Sequence, residues 1–486
     1  MAAVRDTWRA LWLSRLLVWI AGAGTVATLG FGPLRGAFNP PGITRGFGWL
    51  GNLLAAPAAR WDSVWYLVIA HYGYRPDLGS YTAPRDAFFP LYPLGLRGLS
   101  DLGLEPVLAG VLFSLAAFAA ALYGIHRLST LELGGDSGAI GAGAGVGAGR
   151  PDEDTDRSAA RSGEVARLAV LVTALAPMAF YFSAVYSESL YLALSVGLFW
   201  CARQGRWAWV GVLGALAAAT RSTGIVLMAP ALMLYLYGPR EDLGGGREGL
   251  ELERTSERLA PGESVGTASA SGWVSRASAG QWPAARGRTL VGRLRPRYRL
   301  RANVLWLALV PGGLLLYMLY LGLHGGDTLA AFHSQNVWGR HFAGPYLGIW
   351  DGVRAAFEGA RQLLSGQSAH LYFPIASGSP TIAASHNLML LAFLLAAVPL
   401  LVLALRLLPP AYGAYTILAL ALPLSYPVAA QPLMSLPRFL VVLFPLSIAL
   451  AAWLAAHPRI RVPALVVSAA LQMFFVAQFA TWHWVA

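Results

Sequence analysis

Solid apolar runs of roughly twenty residues recur along this chain, and that is about the length a helix needs to cross a bilayer. Strands of a membrane barrel would alternate apolar and polar positions, which these runs do not. The runs predict spans near 16–31, 104–123, 165–182, 190–202, 304–323, 388–408, 412–430, 439–456 and 463–481. A longer stretch, 207–237, allows two readings. As one helix it would leave residues 238–301 on the outer side, although they carry twelve arginines against seven acids. Arginine favours the cytoplasmic side, so the stretch is read as two shorter helices with a bend at Thr220-Arg-Ser-Thr-Gly224. Helices that short are tolerated where their ends line a protein cavity. The expectation is an all-α polytopic membrane protein, a single domain over 1–486 with about eleven transmembrane helices.

The connecting segments divide by side. Residues 32–105 are expected to form a first outer loop with interfacial helices, and 324–386 a second outer loop. Residues 134–162, a Gly/Ala tract running into acids at 152–156, read as a disordered inner linker. Residues 238–301 read as a disordered, arginine-rich inner loop. This parity puts Asp62, Glu188, Arg221, the histidine-bearing loop and Arg438 on one face, and the arginine-rich segments on the other.

Composition narrows the class. Of 486 residues 56% are hydrophobic and 12% charged, too little polar surface to cover a soluble globule of this size. The net charge of +12 therefore reflects inner loops, and no nucleic-acid partner is expected. Every basic side chain is arginine, which points to a GC-rich genome and to no mechanism. The single cysteine, Cys201, excludes an internal disulfide and a cysteine-based metal site.

Against this background a few polar residues stand out. Asp62 lies in the aromatic stretch 60–74; read as a helix, the stretch puts Asp62, Trp65, Tyr66 and Ile69 on one side. Such a helix would lie along the membrane surface with its acid turned to a cavity, or be an interfacial anchor whose aspartate is merely solvated. Pro437 suits a helix start, which puts Arg438 in a first turn, where a cation opposes the dipole unless an anion sits between. Arg221 occupies a similar place before Gly224. Either arginine would hold a phosphate, pair with an internal carboxylate, or reach lipid headgroups. Glu188 would cap the helix it begins, or act as a second acid in the cavity. His324, His333, His341, His370 and His386 lack tight metal-ligand spacing; a divalent metal stays possible, its ligands unknown. Phe88 and Phe89 would pack the loop or form a sugar-stacking wall.

Trp61-Asp62 with Ile-Ala-His-Tyr-Gly-Tyr at 69–74, the Ala-Phe-Phe-Pro-Leu-Tyr-Pro run at 87–93, Phe-Ser-Ala-Val-Tyr-Ser-Glu-Ser at 182–189, Arg-Ser-Thr-Gly at 221–224 and Pro437-Arg438-Phe439 resemble, in order, the motifs of the PIG-V family. These are GPI mannosyltransferase 2-like membrane glycosyltransferases of the GT-C superfamily. The resemblance implies a polyprenyl-phosphate-linked sugar donor, typically mannose, and an outward-facing site whose acid matches Asp62. With that acid as general base, Arg438 and Arg221 on the donor phosphate and Glu188 as auxiliary acid, transfer would proceed with inversion. Trp61, Trp65, Tyr66, Phe88, Phe89 and Tyr186 would line the substrate cavity. The lysine-free composition looks bacterial, so the eukaryotic acceptor is not carried over; an envelope glycolipid, polysaccharide or protein acceptor at a bacterial plasma membrane is expected instead. A transporter or flippase of lipid-linked sugars is the competing class.

Overall fold

The computed structural model describes residues 1–30, 48–74, 85–134, 151–242, 296–365, 380–428 and 431–485. Among these residues the chain is helices and turns, with one isolated antiparallel bridge between Arg340 and Val428. The principal helices, numbered in chain order, are α1 (Ala2–Leu29), α2 (Ser63–Tyr72), α3 (Pro106–Gly134), α4 (Pro151–Leu175), α5 (Glu188–Arg203), α6 (Trp207–Thr220) and α7 (Met228–Tyr237). They continue as α8 (Gly312–Gly325), α9 (Pro345–Ser365), α10 (Pro380–Leu407), α11 (Pro410–Leu424), α12 (Leu436–Val441), α13 (Phe444–Ala456) and α14 (Pro458–Ala480).

This is a helical membrane protein. Among the described residues four helices are long and apolar enough to cross a bilayer: Ala2–Leu29, Pro106–Leu133, Thr381–Leu407 and Pro458–Ala480. Ala302–Leu309 and Gly312–Gly325, bent by 42°, make a fifth if taken as one broken span. The expectation of about eleven spans was drawn from apolar runs, and helices do occupy those runs, but several are short. Trp207–Thr220, Ser222–Tyr237, Pro410–Leu424 and Phe444–Ala456 each stay within 10–17 residues. Proline marks two of the starts, because it lacks the N–H that a helix interior needs and is best tolerated in the first turn: Pro410 opens α11 and Pro445 lies in the first turn of α13, four residues after α12 ends.

Three other expectations change. The 60–74 stretch does not lie on a surface; α2 is buried on nearly every side, Val64 and Tyr66 to Ala70 included, because its apolar positions run all round the helix. Helix α4 begins at Pro151, inside the acidic run assigned to the 134–162 linker, as proline followed by acids is a helix-start signal. Residues 324–386, expected as a loop, include the helix Pro345–Ser365. The Gly/Ala tract at 135–150, most of the 238–301 loop, and His370 lie outside the described residues.

Packing builds the frame that carries the site. Helix α1 lies against α3, α4 and α14, while α5 is held between α3 and α6. Arg15, buried in α1, donates to the carbonyls of Ala174 (3.1 Å) and Ala179 (2.9 Å) and to Ser183 Oγ (2.9 Å). One side chain thus satisfies the irregular backbone between α4 and α5. Small residues let other elements touch directly: a Cβ on Gly313 would lie 1.9 Å from the Ala215 carbonyl, and one on Gly348 1.9 Å from that of Leu424. The second contact seats α9 against the end of α11.

Candidate active site

Four chain segments converge at one end of this frame. The first is the break after α6. Arg221 is extended (φ −155°, ψ 148°), and the Gly224 N–H closes a tight turn onto its carbonyl at 2.9 Å. A Cβ on Gly224 would fall 2.3 Å from the backbone of Ala217 and Ala218, so glycine is what allows the chain to fold back there. The turn projects Arg221 sideways, and its Nη1 donates to Glu188 Oε1 at 2.9 Å.

The second segment presents Asp62 just before α2. Trp61 ahead of it has φ 53°, a left-handed conformation that a bulky residue adopts only under constraint. That constraint is visible. The Trp61 indole donates to the His483 carbonyl at 3.1 Å and stands edge-on to Trp482 and Trp484, with ring centroids 5.9 and 5.2 Å away. The Tyr186 hydroxyl accepts the Asp62 N–H at 3.1 Å and donates to the Arg60 carbonyl at 3.1 Å.

Arg438 completes the cluster from α12, a helix of six residues entered through Ser435 at φ 70°. Its Nη1 donates to Asp62 Oδ2 at 2.5 Å, and its Nε lies 3.1 Å from Glu188 Oε1. The anion that a first-turn arginine calls for is therefore present, and it is the protein's own aspartate. Burial works against the Arg438 charge, but Asp62 and Glu188 more than offset it and hold the guanidinium above its usual range. Among the described residues the non-glycine positions with positive φ are Trp61, Ser435 and Trp482, all at this cluster. Such strain costs on the order of 1–3 kcal/mol per residue and gathers where function over-determines the backbone.

Glu188 has a different position from the one expected of a second acid. It is the first residue of α5, its side chain is 1% exposed, and it does not line the cavity. Its Oε1 is shared by Arg221 and Arg438, while Oε2 is buried without a hydrogen-bond partner. It is a buried counter-ion shared by two arginines.

The cavity in front of the cluster measures about 220 Å³. Asp62, Arg221, Arg340 and Arg438 form its charged side, and Tyr66, Phe88, Phe89 and Trp338 its aromatic side. Burial pushes the Tyr66 hydroxyl up to about 12, so it stays protonated, and it shares a 2.8 Å hydrogen bond with Ser187. Of the six residues expected on the wall, Tyr66, Phe88 and Phe89 are on it. Trp61, Trp65 and Tyr186 stand behind it: Trp65 stacks on Phe88 at 6.1 Å, and the other two brace Asp62. Their aromatic character announced proximity to the site but not which layer each would occupy. The volume is below the roughly 300–1,000 Å³ of sites for drug-sized ligands, so it suits one small polar head.

Arg340, Trp338, Ser435 and Trp484 line the cavity without having been singled out in the sequence. No local spacing marks them, because each is brought in by contacts distant along the chain. Among the described residues the histidines of 324–386 do not assemble: His333 pairs with exposed Asp327 at 2.7 Å, and His324 bonds the Tyr320 carbonyl. Among the described residues no three His, Cys, Asp or Glu side chains are grouped so as to hold a metal ion. No known family model, curated protein or solved structure matches this chain.

Proposed function

We propose that this protein is an inverting membrane glycosyltransferase that moves a sugar, mannose by the motif resemblance, from a polyprenyl-phosphate donor to a hydroxyl of an envelope glycolipid, polysaccharide or protein. The architecture proposed with it is a GT-C-like bundle of about eleven spans in a bacterial plasma membrane, several of them short helices that end at the cavity. The site then opens on the outer face.

One observation carries the reading. Residues from 62 to 438 bring Asp62 and three arginines, Arg221, Arg340 and Arg438, to the wall of a small, partly aromatic cavity outside the long apolar helices. That combination suits transfer from a phosphate. The acceptor oxygen attacks the anomeric carbon, the bond from that carbon to the phosphate oxygen breaks with its electron pair, and polyprenyl phosphate leaves. The acceptor's proton passes to Asp62. A base of this kind contributes roughly 10²–10⁴-fold, and the arginines stabilise the charge gathering on the departing phosphate. Among the described residues the cavity wall carries a single carboxylate, which serves as the base, and this supports a single displacement with inversion of the anomeric configuration.

At rest Arg438 occupies one oxygen of the Asp62 carboxylate. Donor phosphate competes for the same guanidinium, and its arrival releases the carboxylate for the acceptor. The test is transfer of labelled mannose from a short polyprenyl-phosphate donor by the purified full chain in lipid nanodiscs. Product formation with inversion supports the reading. Movement of the donor across the bilayer with no glycosidic bond formed would establish the transporter class instead.

A further inference from the structure

Five guanidinium and carboxylate groups meet at this cavity, and their charges do not cancel. Asp62 and Glu188 together engage Arg438, and Glu188 also engages Arg221. Two acids and two arginines are thereby neutral as a set. Arg340 is the surplus. It reaches the same cavity, and among the described residues its ion-pair partners include no carboxylate; its Nη1 donates to the Tyr426 carbonyl at 3.1 Å. Burial, and after it the neighbouring Arg438 charge, pull Arg340 down to about 10, with Asp62 opposing, so it remains a cation at neutral pH.

Arg340 is also held in place. Gly339 before it takes the left-handed conformation (φ 67°), and Arg340 forms the antiparallel bridge with Val428 just beyond the end of α11. The Ala343 N–H donates to the Ser425 carbonyl at 2.9 Å, and the Phe342 ring packs on Tyr426 at 5.4 Å. This pinning fixes the backbone on both sides of the arginine, so its side chain is aimed by structure. An uncompensated cation in a partly desolvated cavity is costly unless an anion joins it. The guanidinium fork suits a phosphate oxygen pair, which a lysine ammonium would hold as a point charge only.

We propose that Arg340 is the primary phosphate-recognition residue of this cavity, taking the phosphate of a polyprenyl-phosphate ligand before Arg438 is drawn from Asp62. The proposal rests on the glycosyltransferase reading for the identity of the lipid. Its anion-binding content stands on the charge count and is tested by binding alone.

The experiment uses the purified full chain in nanodiscs of zwitterionic lipid and follows tryptophan emission, since Trp338 and Trp484 line the cavity. Three probes are titrated: a short-chain polyprenyl phosphate, the matching polyprenyl alcohol, and inorganic phosphate. The wild type binds the lipid phosphate, and the alcohol at least tenfold more weakly. Arg340→Gln weakens lipid-phosphate binding by roughly tenfold or more, as loss of a charge-assisted bidentate contact requires. Arg340→Lys recovers part of the loss. Arg354→Gln, an exposed surface arginine, changes nothing, and thermal unfolding shows each variant folded. Where transfer is measurable, Arg340→Gln raises the donor KM more than it lowers kcat.

Equal lipid-phosphate affinity in folded Arg340→Gln overturns the proposal while leaving the glycosyltransferase reading intact. Inorganic phosphate binding as tightly as the lipid phosphate, and lost in the same variant, overturns the lipid assignment. Arg340-dependent lipid-phosphate binding without any sugar transfer upholds the proposal and refutes the enzyme.

Discussion

Two buried ion-pair clusters of this protein, one around Glu132 and one around Asp62, are built to opposite ends. In the first, Glu132 of α3 accepts from Arg203 Nε of α5 at 2.5 Å and from the Tyr412 hydroxyl of α11 at 2.7 Å. One carboxylate oxygen staples three helices, both charged side chains are under 10% exposed, and neither lines the cavity. In the second, Asp62, Arg221 and Arg438 face a cavity with Arg340, and Glu188 stands behind them with one oxygen left without a hydrogen bond. The Glu132 cluster balances one acid against one base. The Asp62 cluster carries excess positive charge and backbone strain. The balanced pair ties helices together, and the unbalanced one stands beside a cavity.

The largest expected effect separates the two clusters by activity. Asp62→Asn should lower transfer by roughly 10²–10⁴-fold, read as labelled product per folded protein. Arg438 keeps Glu188 as partner in that variant, so the unfolding midpoint should move less than in a Glu132 variant. Substantial transfer by Asp62→Asn would remove the base assignment.

Glu132→Gln should do the reverse. It leaves the Arg203 charge buried without a counter-charge and should cost about 3–5 kcal/mol of stability, measured by thermal or denaturant unfolding in detergent. Turnover per folded molecule should stay at the wild-type level. A variant that loses turnover and keeps its stability would mean that the two clusters are not distinct in kind.

Gly224→Ala probes the turn rather than a charge. Its Cβ would meet the backbone of Ala217 and Ala218, so a cost of about 1–3 kcal/mol is expected, together with weaker donor binding as Arg221 is displaced. Wild-type stability and affinity in this variant would show that the turn does not set the arginine. The smallest effect belongs to Ser435→Gly. Relief of the left-handed strain at φ 70°, less the extra freedom glycine gains on unfolding, should stabilise by about 0.5 kcal/mol. A loss of stability there would mean that the serine side chain, and not its backbone, supports α12.

Much of this was legible in the chain. Apolar runs located the helices, and the excess of arginines in 238–301 over acids called for the break at Arg221, because charge asymmetry and periodicity are local properties. The motif residues that met at the cavity were those whose polarity contrasted with an apolar surrounding. What was not legible was pairing. Arg438 asked for an anion, but nothing in its own neighbourhood could say that the anion was Asp62. Glu188 looked the same from sequence whether it faced the cavity or stood behind two arginines. Arg340 was hidden in a loop notable for histidines, since a backbone bridge to Val428 leaves no periodic trace. The span count was not legible for a related reason: an apolar run records burial, whether in lipid or in protein.

The hydrogen bond between Asp62 and Arg438 joins positions 376 residues apart. During biosynthesis the early segments enter the bilayer while the arginine has not yet been made, and through that interval the aspartate has no partner from α12. The pocket can be assembled only after the late helices are threaded in and docked. A ribosome-bound fragment that ends before α12 therefore carries Asp62 without Arg438, and this pair closes only in a late step.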